Sequence, residues 1–154
     1  MQILITGITG RIGANLAAVL VREGHQVRGL VWPKDPRVEK LQHLELDLQS
    51  GSLTEPEDVR RVMQGVEAVY HLGAAFQGGG PFTEEDYFEI NVRGTFNMLE
   101  AARTQSKFGS FVFSSTDAVY EKYVFGGQEH PLREEEMPRR PQGWYSLSKS
   151  MGEE

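Results

Sequence analysis

The sequence predicts an α/β fold: one parallel sheet with helices on both faces. Three observations lead there. Short runs rich in β-branched residues alternate with stretches of helical periodicity along the chain. The first run ends in glycine and opens straight into a helical pattern, as a buried parallel strand does. The composition is that of a globular chain, with 39% hydrophobic and 25% charged residues, and 154 residues suffice for one domain with one core.

"QILITG" (Gln2 to Gly7) reads as the first strand. Ile12, Leu16, Val19 and Leu20 then recur at helical spacing, and Gly24 offers a C-terminal cap. Gln26 to Trp32 reads as the second strand, stopped by Pro33. Leu41 to Leu48 is a weaker third strand. Thr54 with Glu57 reads as a capping box that opens a short helix carrying Val59, Val62 and Met63. Glu67 to Ala75 is the fourth strand with its exit turn, and "FQGGGPF" is a flexible loop. Thr83 caps a long helix reaching about Arg103, with Phe88, Val92, Phe96 and Leu99 on one face and both phenylalanines expected in the core. Ser110 to Ser115 is the fifth strand. Glu121 to Gly143 is rich in charge, Pro and Gly and reads as a long surface loop, its acidic "REEEMP" solvated rather than metal-binding. A last helix opens near Trp144 and is cut at Glu154.

The bulk numbers exclude several classes. A net charge of -6 argues against nucleic acid and anionic membranes as partners, since both call for clustered Lys and Arg. The chain has no cysteine, so disulfides and thiolate chemistry are out, and a cytoplasmic location is the expectation. No apolar run approaches the ~20 residues that span a bilayer. The start "MQILITG" lacks a basic leader and goes directly into a strand, so no signal peptide is expected.

"GITGRIG" places Gly7, Gly10 and Gly13 between that strand and helix. This is a variant of the dinucleotide fingerprint. Gly7 permits the tight turn, Gly10 lets backbone approach a pyrophosphate, and Gly13 lets the helix pack close to the sheet. The helix start offers free N–H groups to an anion. Thr9, Arg11 and Ile12 lie in the same turn. At the end of the second strand, where an acid would read the adenosine ribose, Val31 offers nothing and Asp35 comes a few residues late. Arg11 and Lys34 could both reach a 2'-phosphate. NAD or NADP is expected, with a lean to NADP.

These residues resemble an extended short-chain dehydrogenase/reductase of the NAD-dependent epimerase/dehydratase family, a Rossmann-type doubly wound parallel sheet. The resemblance runs over nearly the whole chain: "TGITGRIG", "LDL" at Asp47 and Leu48, "HLGAA", "NVRGTFNMLEAAR", "FVFSSTDAVY", and "YSLSK" as the family's Y-x-x-x-K. Six stretches in the right order are far more specific than any one alone. The resemblance implies that Tyr145 is the catalytic acid/base and that Lys149 binds the nicotinamide ribose and favours the phenolate. Thr116 sits where the family has its active-site Ser or Thr, with Ser114 and Ser115 able to share the duty. Asp47 would face the adenine, with Leu48 beside it. Leu72, Gly73, Ala74 and Ala75 would pass close to the cofactor, and Asn91 matches the family's Asn in the long helix. His71 reads as a packed histidine near the cofactor.

The chemistry fits these roles. A free tyrosine, with a pKa of ~10, is a poor base at neutral pH, and an adjacent ammonium favours its charged form. A hydroxyl from Thr116 could hold the substrate oxygen while the cofactor carries the hydride. The stretch "STDAVY" has Asp117 but Ala118 where the sugar-nucleotide dehydratases have a second acid, so dehydration ranks below oxidoreduction or epimerisation. The expected activity is on a sugar nucleotide or similar carbonyl or alcohol. A non-catalytic redox sensor and a reductase of a non-sugar small molecule are the alternatives.

Residues 1–154 are thus expected to form a dinucleotide-binding domain, cut within the Tyr145/Lys149 helix, with the C-terminal strands and substrate lobe absent. By itself the piece would turn over little. Its fifth strand would be an open edge, so self-association is expected, with a homodimer as the assembly.

Overall fold

The computed structural model describes residues 1–76, 80–121 and 133–154. Parts of the two expected loops, 77–79 and 122–132, lie outside the described residues. Five parallel strands form one sheet in the order β3-β2-β1-β4-β5: β1 (Gln2–Thr6), β2 (Gln26–Val31), β3 (Asp47–Ser50), β4 (Ala68–His71) and β5 (Ser110–Phe113). The helices are α1 (Arg11–Arg22), α2 (Pro56–Met63), α3 (Glu84–Asp86), α4 (Gly94–Arg103) and α5 (Trp144–Glu153). A π-helical stretch, Tyr87–Arg93, joins α3 to α4 without a break.

Side-chain alternation along the strands builds two cores. Leu4, Leu30 and Val69 face one side, against Val59, Val62 and Met63 of α2 and Met98 of α4. Ile3, Ile5, Val27 and Val31 face the other, against Ala17 and Leu20 of α1. A sheet with both faces covered explains the near-continuous apolar strands.

The chain runs outward from β1 to β3, then returns to place β4 on the other flank of β1. The order therefore reverses between β1 and β4, and the crevice above their C-terminal ends is where such sheets bind ligands.

Several boundaries differ from the expectation. The third strand begins at Asp47, because Leu41 belongs to a 3-10 turn, Pro36–Leu41, capped by the Asp35 carboxylate. Thr54 is no cap. Pro56 holds the first helical position of α2, Glu55 precedes it in extended form, and the Thr54 hydroxyl bonds to that of Ser52 at 2.8 Å. Thr83 does cap, in a box with Asp86. Phe88 and Phe96 are not core: they are 45% and 61% exposed. The buried line of that helix runs instead through Tyr87, Asn91, Gly94, Thr95, Met98 and Ala101. Its small residues let the backbone come close, and a Cβ on Gly94 would stand 2.9 Å from Leu53 Cβ. The acidic stretch Arg133 to Glu136 is exposed, as expected.

Candidate functional site

The site starts from backbone. Gly7 turns the chain out of β1 with φ 68°, and a Cβ there would lie 2.8 Å from the Gly73 nitrogen across the crevice. A Cβ on Gly13 would lie 2.4 Å from the Gly7 carbonyl oxygen. Gly10 N donates to Gly7 O at 2.9 Å and Ala14 N to Gly10 O at 3.0 Å. The N–H groups of Arg11, Ile12 and Gly13 therefore have no helical acceptor, and Gly10 supplies no side-chain cap. They present a helix start to an anion.

A cavity of about 620 Å³ opens at the crevice. Gly7, Thr9, Gly10, Ile12, Leu72, Gly73, Ala74, Ala75, Ser114, Tyr145 and Lys149 line it, so most of the sequence-derived site converges there. Gly13 and Asn91 act from behind the wall. Asn91 is 2% exposed. Its amide accepts from Ala75 N at 2.7 Å and donates to Ala75 O and Ser148 Oγ, both at 2.9 Å, tying the exit of β4 to α5.

Arg11, Asp47, Leu48 and Thr116 are not in the lining. Asp47 opens β3 at the far end of the sheet, where it accepts from Arg28 Nε at 2.6 Å. Leu48 packs on the core face under α1. Because β3 starts later than expected, its C-terminal end delivers Gly51, Ser52 and Leu53 to the cavity instead. Thr116 accepts from Ala118 N at 3.2 Å and so caps the 3-10 turn that follows it, while Ser114 and Ser115 reach the cavity.

Asp35 is the residue the sequence reading passed over. The turn after β2, with Lys34 at φ 62°, brings it back to the glycine turn after β1. Its Oδ2 accepts from Thr9 Oγ1 at 2.7 Å and from Arg37 Nη2 at 2.8 Å, and Oδ1 accepts from Arg37 Nε at 2.8 Å. Arg37 holds the carboxyl well below the usual carboxylate range, against the cost of burial. Asp35, Arg37 and Trp32 line the cavity. An Asp directly before a proline was the available signal for a cap at that place.

At the other wall, Tyr145 packs edge-on against Tyr87, with ring centroids 6.3 Å apart. Lys149 is 3% exposed, with its Nζ 4.0 Å from the centroid of the Phe113 ring. Burial lowers its pKa to about 8, opposed by the charge of Glu153. Beneath Phe113 lies His71, its ring stacked at 6.0 Å. Hydrogen bonding fixes its tautomer. Thr95 Oγ1 donates to Asn91 O at 2.6 Å, so it accepts from His71 Nε2 at 3.0 Å. Thr6 Oγ1 accepts from Gly73 N at 3.0 Å, so it donates to His71 Nδ1 at 2.8 Å. The neutral ring is thus packed, as expected.

The sequence model of the NAD dependent epimerase/dehydratase family matches residues 3–154. The chain belongs to that family. It is 32% identical over 142 residues to a 3-beta-hydroxysteroid dehydrogenase of Mycolicibacterium neoaurum, covering 89% of this chain and 37% of that protein. Among solved structures, it is similar to a short-chain dehydrogenase/reductase superfamily protein from Agrobacterium tumefaciens with bound NAD (TM-score 0.80, 32% identity, 99% of this chain and 43% of that one). It is also similar to a UDP-glucuronic acid 4-epimerase from Bacillus cereus in complex with NAD (TM-score 0.76, 26% identity, 99% and 50%). The chain spans 37% of the length of that dehydrogenase and 50% of that of the epimerase. Among the described residues no helix is long and apolar enough to cross a membrane.

Proposed function

We propose that the chain is the cofactor-binding and proton-transfer part of an NAD-dependent oxidoreductase or epimerase that acts on a sugar nucleotide or similar alcohol or carbonyl compound. The observation that carries this reading is one cavity lined both by a glycine-built helix start and by Tyr145, Lys149 and Ser114. The residues fit a dinucleotide. The Gly7–Gly73 approach leaves a cradle that a Cβ would fill, and the open α1 start suits a pyrophosphate. Asp35 is the acid suited to an adenosine ribose, which supports NAD. Arg11 and Lys34, on which NADP would rest, are not in the lining. When bound, the cofactor supplies the hydride acceptor or donor. Lys149 would hold the nicotinamide ribose and favour the phenolate, Tyr145 would take or give the proton of the reacting hydroxyl, and a hydroxyl of Ser114, Ser115 or Thr116 would orient the substrate oxygen.

Fluorescence titration tests the cofactor. NADH should bind more tightly than NADPH, and Asp35→Ala should weaken NADH by roughly tenfold or more while changing NADPH less. A wild-type preference for NADPH overturns the assignment. For the whole protein, Tyr145→Phe should lower turnover by about 10²–10⁴-fold with NADH affinity little changed. Undiminished turnover removes Tyr145 as acid/base.

The likeness to a steroid dehydrogenase favours a second reading, a reductase of a non-sugar substrate. Phe76, Phe82 and Ile90 give the cavity an apolar wall that suits it. Turnover of a hydroxysteroid against a UDP-sugar separates the two. A homodimer belongs to the same proposal, supported by the exposed side chains of Phe88, Phe96, Leu99, Leu147 and Met151. A sedimentation mass of one chain at micromolar concentration would remove it. The cytoplasm suits a chain without cysteine, and cell fractionation tests that placement.

A further inference from the structure

We propose that Glu153 is a positioning residue: it ties the exit of β5 to the helix that carries Tyr145 and Lys149, and its carboxylate is the counter-charge of Lys149. The proposal rests on the catalytic reading above for its purpose, but its evidence is separate.

A buried ammonium needs an anion or a strong dipole nearby. Lys149 is 3% exposed, and among the described residues it has no carboxylate within ion-pair distance; its near partner is the Phe113 ring. Glu153 stands one helical turn further on, so it shares the face of α5 with Lys149 and Tyr145. Its side chain is only 17% exposed. Oε1 accepts from the hydroxyl of Ser115, across from the helix. Oε2 lies 3.1 Å from Arg139 Nη2 but out of line for a hydrogen bond, so that contact is an ion pair and the buried oxygen keeps a free lone pair.

Gly152 makes this arrangement possible. A Cβ there would fall 2.6 Å from Phe113 Cζ, so glycine lets α5 settle onto the strand exit without displacing the ring. The settled helix puts Lys149 over the ring and Glu153 against Ser115. The groups facing Lys149 are then few. His71, below Phe113, is neutral and its pKa is pushed down to about 3 by burial. Tyr145 lies one turn before on the same face. Arg139, on the segment bridged to Tyr120, stands beyond Glu153. Arg139 also meets the exposed Glu154, Nη1 to Oε1 at 3.3 Å, so Glu153 is the inward carboxylate of the pair on Arg139, shared between one buried cation and one 50% exposed.

The two cations make opposite predictions. Glu153→Gln keeps the shape and an acceptor for Ser115 but removes the charge. The Lys149 titration midpoint, read from its ε-carbon resonance by NMR, should fall by about one pH unit. Arg139→Gln removes the competing cation from an exposed position, so folding is little affected and the midpoint should rise. Unchanged midpoints in both variants, or shifts of the same sign, overturn the proposal. Should Glu153→Gln fail to fold, Arg139→Gln alone decides, since no rise means no shared carboxylate. The readout needs no turnover. If Tyr145→Phe leaves turnover intact while the two midpoints move apart, the catalytic reading fails and the charge assignment stands.

Discussion

The two ends of the cavity are built from different materials. At the glycine-turn end the geometry is held by backbone against backbone: Gly7 against Gly73, and Gly13 against the carbonyl of Gly7. At the Tyr145 end it is held by side chains: Lys149 over Phe113, Asn91 between Ala75 and Ser148, and His71 between Thr6 and Thr95. Backbone sites cannot give way and do not titrate. Side-chain sites can repack and do titrate. The first end should therefore be intolerant of volume and, since Arg37 keeps Asp35 ionised, indifferent to pH above the carboxylate range, and the second the reverse.

The largest expected effect tests the rigid end. Gly13→Ala places a Cβ 2.4 Å from Gly7 O and 2.7 Å from Ile8 Cα, both backbone atoms of the tight turn between β1 and α1. We expect a loss of about 3 kcal/mol or more in urea unfolding, with NADH binding abolished. A loss below about 1 kcal/mol would mean that the turn yields, and the contrast between the two ends would fail.

A middle-sized effect tests the titrating end. The pKa of His71 is lowered from its ordinary 6.5 to about 3, by burial first and then by the charge of Lys149. Between those values the unfolded chain holds the extra proton. Stability therefore rises with pH across that window and is lost as pH falls from 6.5 toward 3. His71→Phe should flatten that acid slope. It should also cost about 2 kcal/mol at neutral pH, because Thr6 and Thr95 each lose a buried partner. An unchanged slope would show that another group carries the acid sensitivity.

The same contrast explains what the sequence disclosed. Gly7, Gly10 and Gly13 declare themselves because a backbone contact leaves one residue type allowed, and the allowed type is visible at fixed spacing. Tyr145 and Lys149 are legible as a pair four apart. Their surroundings are not, since Phe113, Asn91 and Glu153 come from three elements and meet only through the tertiary fold. Asp47 shows how a local pattern misleads. "LDL" is a credible cofactor motif, but the 3-10 turn capped by Asp35 displaces the start of β3, and the strand end then belongs to Gly51 and Ser52. Phe88 and Phe96 fail likewise. Their spacing is helical, but the helix turns its small residues to the sheet, and spacing alone does not say which face a helix buries.

The smallest effect is the sharpest test, because it matches the largest in geometry. A Cβ on Gly152 would lie 2.6 Å from Phe113 Cζ, an overlap close to that at Gly13. Here the obstacle is the edge of a ring, which can swing where the backbone of a tight turn cannot. Gly152→Ala should thus cost only about 1 kcal/mol in unfolding, in part offset by the better helix propensity of alanine. The swing has its own consequence, since the same ring lies 4.0 Å from Lys149 Nζ. Moving it should shift the Lys149 titration midpoint while the fold survives. If Gly152→Ala and Gly13→Ala destabilise equally, the material of the contact does not matter and the two ends are alike. If Gly152→Ala is mild and the midpoint moves, the yielding end of the cavity is also the one that sets the charge beside Tyr145.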